Sequence, residues 1–225
     1  MKLLKENVSS VFVRLLESWY SKLHACVLWN GVIGSSFAVK CGVLQGGILS
    51  PLLFAIYIDD LIQDLRKSGY GSYIGRLFIG AIAYADNICL LSCFCTGLQK
   101  MLDICSMYGI NWDIRFNPSK SQVMIIGGTA SVNMTVCLSN KVVLWVSKVN
   151  YLGLYLTSGP KLRIDLTVAK KEYYGCFNTI KAQQMNEIML LHLIKTYCLP
   201  RLLYGCEVWP LASINMRDIN ILWNN

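Results

Sequence analysis

At 225 residues the chain has room for one large domain or two small ones, and its 54% hydrophobic and 15% charged residues exclude a disordered polypeptide. The 21 Lys and Arg against 13 Asp and Glu leave a net charge of +8, which suits a polyanionic partner such as nucleic acid or an anionic membrane surface, and equally fits a protein that is merely basic. The ten cysteines include no C-x-x-C pair, and with His only at 24 and 192 no zinc-binding spacing exists, so they predict reduced thiols in an intracellular protein of the nucleus or cytoplasm.

The basic start Met1–Glu6 leads into no long apolar core or small-residue cleavage site, so no leader peptide is expected. Apolar residues at Val11, Val13, Leu15, Leu16 and Trp19 predict a helix over 8–24, capped by Ser9 or Ser10. Cys26–Trp29 and Ser36–Lys40 read as strands flanking a turn at Asn30-Gly31. Next come Gly42, Gly46 and Gly47, in a loop whose backbone is free to approach a ligand closely. Ser50 then caps a helix with Pro51 at its first position and Phe54, Ile58, Leu61 and Leu65 along one face. A glycine loop feeding a helix N-terminus favours phosphate contact, although such a loop standing alone is more often a tight connection.

Tyr57-Ile58-Asp59-Asp60 is the best-looking carboxylate pair by composition, yet it falls inside this helix. Successive helical residues point about 100° apart, so the pair reads as the solvated face of an amphipathic helix.

The central feature is Tyr84-Ala85-Asp86-Asn87 between the apolar runs Leu77–Ala83 and Ile88–Leu91, a hairpin with Asp86 at its tip. Two readings fit Asp86: a ligand for Mg²⁺, or an ordinary Asp-Asn turn. The apolar stretch 77–95 is long enough for a membrane span, but Asp86 and Asn87 at its centre and its β-branched content favour two strands.

Thr96 is placed to cap a further helix with Leu98, Met101, Leu102 and Cys105 on one face and Gly109 at its end. Strands are predicted at Asp113–Phe116, Gln122–Ile126, Val142–Val146 and Tyr151–Leu156. From Leu162 onward the pattern is helical, with Lys170-Lys171, Tyr173-Tyr174 and an apolar run Ile188–Ile194 interrupted downstream by Pro200. The composition changes near Ser158-Gly159-Pro160, which divides the chain into 1–157 and 158–225.

Four stretches in order resemble the reverse transcriptase of non-LTR (LINE-type) retrotransposons. They are Gly42-Val43-Leu44-Gln45-Gly46 with Leu49–Phe54, Ala83-Tyr84-Ala85-Asp86-Asn87 where the family has Tyr-Ala-Asp-Asp, Phe116-Asn117-Pro118-Ser119-Lys120-Ser121, and Asn150-Tyr151-Leu152-Gly153. Leu202–Trp209 resembles a stretch these proteins often carry further on. The resemblance implies an α+β fold: a right-hand polymerase palm, an antiparallel sheet with helices on one face, followed by a helical thumb-like region. Residues 1–157 would then be a partial fingers and palm domain and 158–225 the thumb-like region. It also implies RNA-directed DNA synthesis on an RNA template and DNA primer from deoxynucleotides, with Mg²⁺ as cofactor. Asp86 and Asn87 take the catalytic positions, with Asp86 the metal ligand. Gln45, Gly46 and Lys120 take the nucleotide and template positions, and Tyr151, Leu152 and Gly153 the primer positions.

Two departures qualify that implication. The family carries another metal-binding Asp upstream of the glycine loop, whereas the acidic residues before Asp59 here are Glu6 and Glu17. Asn87 brings an amide, without negative charge, where the family has its second carboxylate. The expectation is therefore a truncated reverse transcriptase domain that does not polymerise as this chain. The rivals are a remnant that only binds nucleic acid and, more weakly, a membrane-associated protein.

Overall fold

The computed structural model describes residues 2–128, 134–183 and 185–209. The N-terminal part holds helices α1 (Lys2–Lys5) and α2 (Ser10–Ser21), strands β1 (His24–Ala25), β2 (Leu28–Trp29), β3 (Val32–Ile33) and β4 (Phe37–Ala38), then helix α3 (Ser50–Lys67). Strands β5 (Tyr73–Ile74), β6 (Leu77–Phe78), β7 (Ala81–Tyr84) and β8 (Asn87–Leu90) lead to helix α4 (Cys95–Trp112). Six short strands follow: β9 (Gln122–Val123), β10 (Val136–Leu138), β11 (Lys141–Trp145), β12 (Lys148–Tyr151), β13 (Leu154–Thr157) and β14 (Arg163–Asp165). The last described elements are α5 (Thr167–Lys181), α6 (Glu187–Leu193), a π-helical turn (Ile194–Cys198), α7 (Leu199–Leu202) and a 3-10 turn (Cys206–Val208). This is an α+β architecture, as the sequence predicted. Residues 210–225 of the predicted thumb-like region lie outside the described residues.

The chain forms two compact units. The first runs to Phe116 and includes Val136–Lys141; the second comprises Asn117–Thr135 and the chain from Val142 onward. In the first unit α3 and α4 pack together. The apolar positions Ile58, Leu61 and Leu65 of α3, and Met101, Cys105 and Tyr108 of α4, recur at helical spacing and are buried. β10 is laced to α4 by side chains. Gln99 Nε2 donates to the Cys137 carbonyl oxygen at 2.9 Å, its Oε1 accepts from Cys137 N at 2.8 Å, and Ser106 Oγ accepts from Ser139 N at 3.0 Å.

In the second unit β9 runs parallel to β11, and β12, β13 and β14 form an antiparallel sheet. A helical core gathers Tyr173, Ile194, Cys198 and Leu202, with Phe177, Leu190 and Leu199 against it. The π-helical turn has a local cause. Pro200 lacks an N–H and its ring crowds a regular α-helix interior, and just ahead of it the chain widens so that Leu199 N donates to Ile194 O.

Several elements differ in detail from the sequence expectation. Asn30 and Gly31 do form the turn, with φ 47° and 78°, but they join β2 to β3, while Phe37–Ala38 pairs with His24–Ala25 as β4 with β1. Two successive left-handed residues give a two-residue turn, which brings in the strands immediately beside it. α4 starts at Cys95 with no side-chain cap from Thr96, and it runs past Gly109 to a left-handed Asp113. Ile114 N and Asp113 N both reach back to Gly109 O, the 6→1 bond of a Schellman end and the 5→1 bond of a left-handed cap sharing one acceptor, so Gly109 lies one turn inside the helix. A Cβ there would meet Ile114 O at 2.5 Å. The stretch Asp113–Phe116 is not a strand, Gln122–Ile126 is a strand only over β9, and 162–166 contributes β14 before the helices begin. Tyr151–Leu156 is not one strand but the end of β12, a turn at Leu152-Gly153 and most of β13.

Ser50 is also not the cap of α3. Leu49 holds that position and accepts the first helical bond from Leu53 N at 2.9 Å. Buried Ser50 instead donates its Oγ proton to Leu44 O at 2.6 Å and closes the glycine loop. Ser50→Ala is expected to destabilise the protein by about 1 kcal/mol through loss of that bond. A denaturant midpoint equal to that of the unmodified protein would show that the bond contributes nothing.

Candidate active-site hairpin

The apolar residues of 81–91 pair into an antiparallel hairpin, Ala81↔Leu90, Ile82↔Cys89, Ala83↔Ile88 and Tyr84↔Asn87. The two residues between the strands, Ala85 and Asp86, make the turn, and Ala85 takes a left-handed φ of 49°. That conformation is uncommon for a residue with a Cβ and carries a modest strain. It places Asp86, exposed, at the tip. Asn87 begins β8, and its Nδ2 donates to Asp86 Oδ1 at 3.4 Å.

The base of the hairpin is fixed by a second one. Leu91 N donates to Gly80 O at 2.7 Å, Ser72 N to Leu91 O at 3.0 Å and Ile79 N to Ser72 O at 2.9 Å, tying in the β5–β6 hairpin. Gly80 and Gly71 cross in close contact there under the Phe78 ring. α3 packs against β7. The apolar stretch from Leu77 is thus cut into β6, β7 and β8, and among the described residues no helix is long and apolar enough to cross a membrane.

Gln45 and Gly46 sit exposed in the loop ahead of α3, with Gly46 at φ 83°. The Asp59-Asp60 pair lies within α3, and each carboxylate is engaged separately. Asp59 accepts from Gln63 Nε2 at 2.6 Å, and Asp60 pairs with Lys2 at 3.0 Å.

A divalent ion of the magnesium type prefers several oxygen ligands with at least one or two carboxylates. The hairpin tip offers one carboxylate and one amide. Among the described residues no group of three His, Cys, Asp or Glu side chains is gathered to hold a metal. The residues present therefore do not fit a two-ion site by themselves.

In the second unit Lys120 is exposed in a turn organised by Asn117. Asn117 Oδ1 accepts from Ser119 N at 3.0 Å, and its carbonyl oxygen accepts from Ser121 N at 3.0 Å and Ser121 Oγ at 2.9 Å. Tyr151 ends β12, and Leu152 and Gly153, with φ 50° and 83°, turn the chain into β13. Tyr204 packs on this turn. Its hydroxyl donates to Leu152 O at 2.9 Å, and a Cβ on Gly153 would approach its ring to 3.0 Å. Gly205, at φ 72°, lies against Leu154. Two motifs separated by about fifty residues thus meet, a contact for which neither stretch carries a local signal.

Also unanticipated is the link across the β12–β13–β14 sheet. Lys148 on β12 reaches over the Tyr155 ring, 4.6 Å from its centroid, to Asp165 Oδ2 on β14 at 2.5 Å. The Lys148 bond, helped by bonds from the Thr167 hydroxyl and backbone N–H, holds the Asp165 carboxyl well below the usual range, at about 2. A depressed carboxylate value stabilises the fold above its unfolded value near 4 and loses that stabilisation as pH falls towards 2. Stability should therefore fall between about pH 4 and pH 2, and Asp165→Asn should remove this part of the acid sensitivity while lowering stability at neutral pH. Denaturant midpoints across that range check it; parallel pH curves for the two proteins would refute it.

Comparison with known proteins gives the same answer as the motifs. Residues 3–156 match the family model described as reverse transcriptase (RNA-dependent DNA polymerase). The chain is 25% identical over 224 residues to the probable RNA-directed DNA polymerase from transposon X-element of Drosophila melanogaster, covering 93% of this chain and 24% of that protein. It is 24% identical over 201 residues to the corresponding protein from transposon BS of the same organism, covering 83% and 22%. It is 23% identical over 231 residues to the RNA-directed DNA polymerase from mobile element jockey of Drosophila funebris, covering 97% and 25%. The chain spans about a quarter of the length of these curated relatives. With more than half its length matched, and with the Asp86 hairpin and the Leu152-Gly153 turn formed inside the matched region, this chain belongs to the reverse transcriptase family.

Proposed function

We propose that this chain is a reverse transcriptase domain that retains nucleic-acid-holding surfaces of a palm and thumb but does not itself join nucleotides. The observation that carries the reading is Asn87 beside Asp86 at the hairpin tip, an amide bonded to the carboxylate at 3.4 Å where two-ion chemistry needs a second charge. The glycine loop at Gln45-Gly46 and the cation of Lys120 are assigned to template and nucleotide, and the Tyr151-Leu152-Gly153 turn to the primer end. The fit of the loop rests on backbone freedom, that of Lys120 on an exposed charge suited to phosphate. An intracellular setting, nucleus or cytoplasm, suits ten unpaired thiols.

The test is RNA binding. Lys161, Arg163 and Lys171 are exposed in the second unit and add to a net charge of +8. Phosphates neutralised by such residues release counterions, so affinity for single-stranded RNA of any sequence should fall steeply with salt. Replacing Arg163 and Lys171 together by alanine should reduce the slope of log affinity against log salt by about 1.4, at roughly 0.7 per contact. Fluorescence anisotropy measures both. Affinity that is independent of salt would overturn the assignment of this surface.

A further inference from the structure

The first unit contains a charged arrangement that includes none of the residues assigned above to metal, nucleotide, template or primer. Lys2, on α1, inserts its ammonium among Tyr57 and Asp60 of α3 and Tyr108 and Trp112 of α4. Nζ donates to Tyr57 O at 2.5 Å and to the Tyr108 hydroxyl oxygen at 2.6 Å, and lies 3.0 Å from Asp60 Oδ2. The three N–H bonds of an ammonium thus meet three oxygens. The rings complete the enclosure: Nζ is 4.0 Å from the Trp112 centroid, 5.0 Å from that of Tyr57 and 5.2 Å from that of Tyr108. The Lys2 side chain is only 12% exposed.

The walls hold one another without Lys2. Tyr57 meets Trp112 edge to face at 5.7 Å, Tyr108 stacks on Trp112 at 6.0 Å, and the Tyr108 hydroxyl donates to Tyr57 O at 2.6 Å. They stand on α3 and α4, whose own buried residues pack those helices together. α1, in contrast, is four residues long and buries none of them. The segment is therefore held by its charged head group rather than by an apolar face. A cavity of about 620 Å³ opens beside the site, with Tyr108 and Trp112 in its wall and its charges balanced, Asp64 and Asp103 against Lys67 and Lys100.

We propose that Tyr57, Asp60, Tyr108 and Trp112 form a binding site for a primary alkylammonium group, that Lys2 is its resident occupant, and that an alkylamine from solution takes the site when Lys2 is removed. Aromatic faces attract any cation. The oxygens add the selectivity. A quaternary ammonium has no N–H to offer, so Tyr57 O and the Tyr108 hydroxyl would lose their donor in a part-buried place, and the half-exposed Asp60 would keep only its charge attraction. A planar guanidinium does not match three acceptors arranged around a single nitrogen.

Chemical rescue tests the proposal. Lys2→Ala should lower the melting temperature, and n-butylammonium chloride should restore it along a saturable curve, while tetramethylammonium chloride at equal ionic strength should not. The unmodified protein, its site filled, should show no such rise. In Lys2→Ala with Asp60→Asn the half-saturating concentration of n-butylammonium should increase at least tenfold. Equal responses to the two cations, or equal responses of Lys2→Ala and the unmodified protein, would overturn the site. If Lys2→Ala does not fold, the intact protein still decides the matter. On reductive methylation followed by mass spectrometry, Lys2 should react at least tenfold more slowly than exposed Lys5, and equal rates would refute the enclosure of its ammonium.

Discussion

Asn87→Asp in this chain is expected to leave RNA-templated primer extension at background. The substitution restores the second carboxylate of the family's motif, but it also removes the amide that now donates to Asp86 at 3.4 Å. Two adjacent carboxylates at an exposed tip repel unless a cation is held between them. Among the described residues no further acidic, histidine or cysteine side chains gather to complete a metal site. The substitution should therefore be neutral or mildly destabilising here. Its effect should be large only where the rest of a polymerase is supplied. The informative experiment uses this chain in place of the matched quarter of the X-element protein, with Asn or Asp at position 87. The Asn87→Asp chimera should extend a primer on the order of 10²–10³-fold faster, the scale of restoring one preorganised electrostatic group in a catalytic site. Activity from Asn87→Asp in the isolated chain would refute the reading that more than one ligand is lacking. Equal activity of the two chimeras would show that the amide is tolerated.

Gly80→Ala should be among the most damaging single substitutions in the first unit. Gly80 is buried where the β5–β6 hairpin meets the base of the β7–β8 hairpin. A Cβ there would stand 2.4 Å from the Phe78 ring and 2.7 Å from the Gly71 Cα. The ring has some freedom to move, but the Gly71 backbone does not, being tied through Ser72 N to Leu91 O at 3.0 Å. Overpacking of this kind costs about 1–3 kcal/mol. Gly71→Ala meets the same atoms from the other side, so the two substitutions should not add. Gly175, in the middle of α5 with open space where a Cβ would go, is the control, and Gly175→Ala should stabilise by about 0.5–1 kcal/mol. Denaturant unfolding of the unmodified protein, the three single variants and the Gly71→Ala with Gly80→Ala double variant measures this. A Gly80→Ala protein as stable as the control would show that the two hairpins are not locked at the glycine crossing.

The sequence by itself determined what local periodicity and turn chemistry decide. Alternating apolar strands around Ala85-Asp86 made the central hairpin, with Asp86 at its tip. The spacing of Ile58, Leu61 and Leu65 behind Pro51 made α3, and showed that Asp59 and Asp60 stand on a helix rather than as a facing pair. The order of the motifs named the family. The tertiary structure alone decided which distant partner satisfies each polar group. Ser50 looked like a cap because Ser-Pro so often starts a helix, yet Leu44 O took its proton six residues back. Gly109 looked like a helix end, but a left-handed Asp113 allowed one more turn. Tyr204 on the Leu152-Gly153 turn, the Gly71–Gly80 crossing and the enclosure of Lys2 by residues of α3 and α4 have no local signature. The Tyr204 and Lys2 contacts join groups more than fifty residues apart and the glycines cross only where two hairpins meet, and such contacts form only once burial has brought the parts together and, for the polar ones, an unpaired donor or acceptor has become costly.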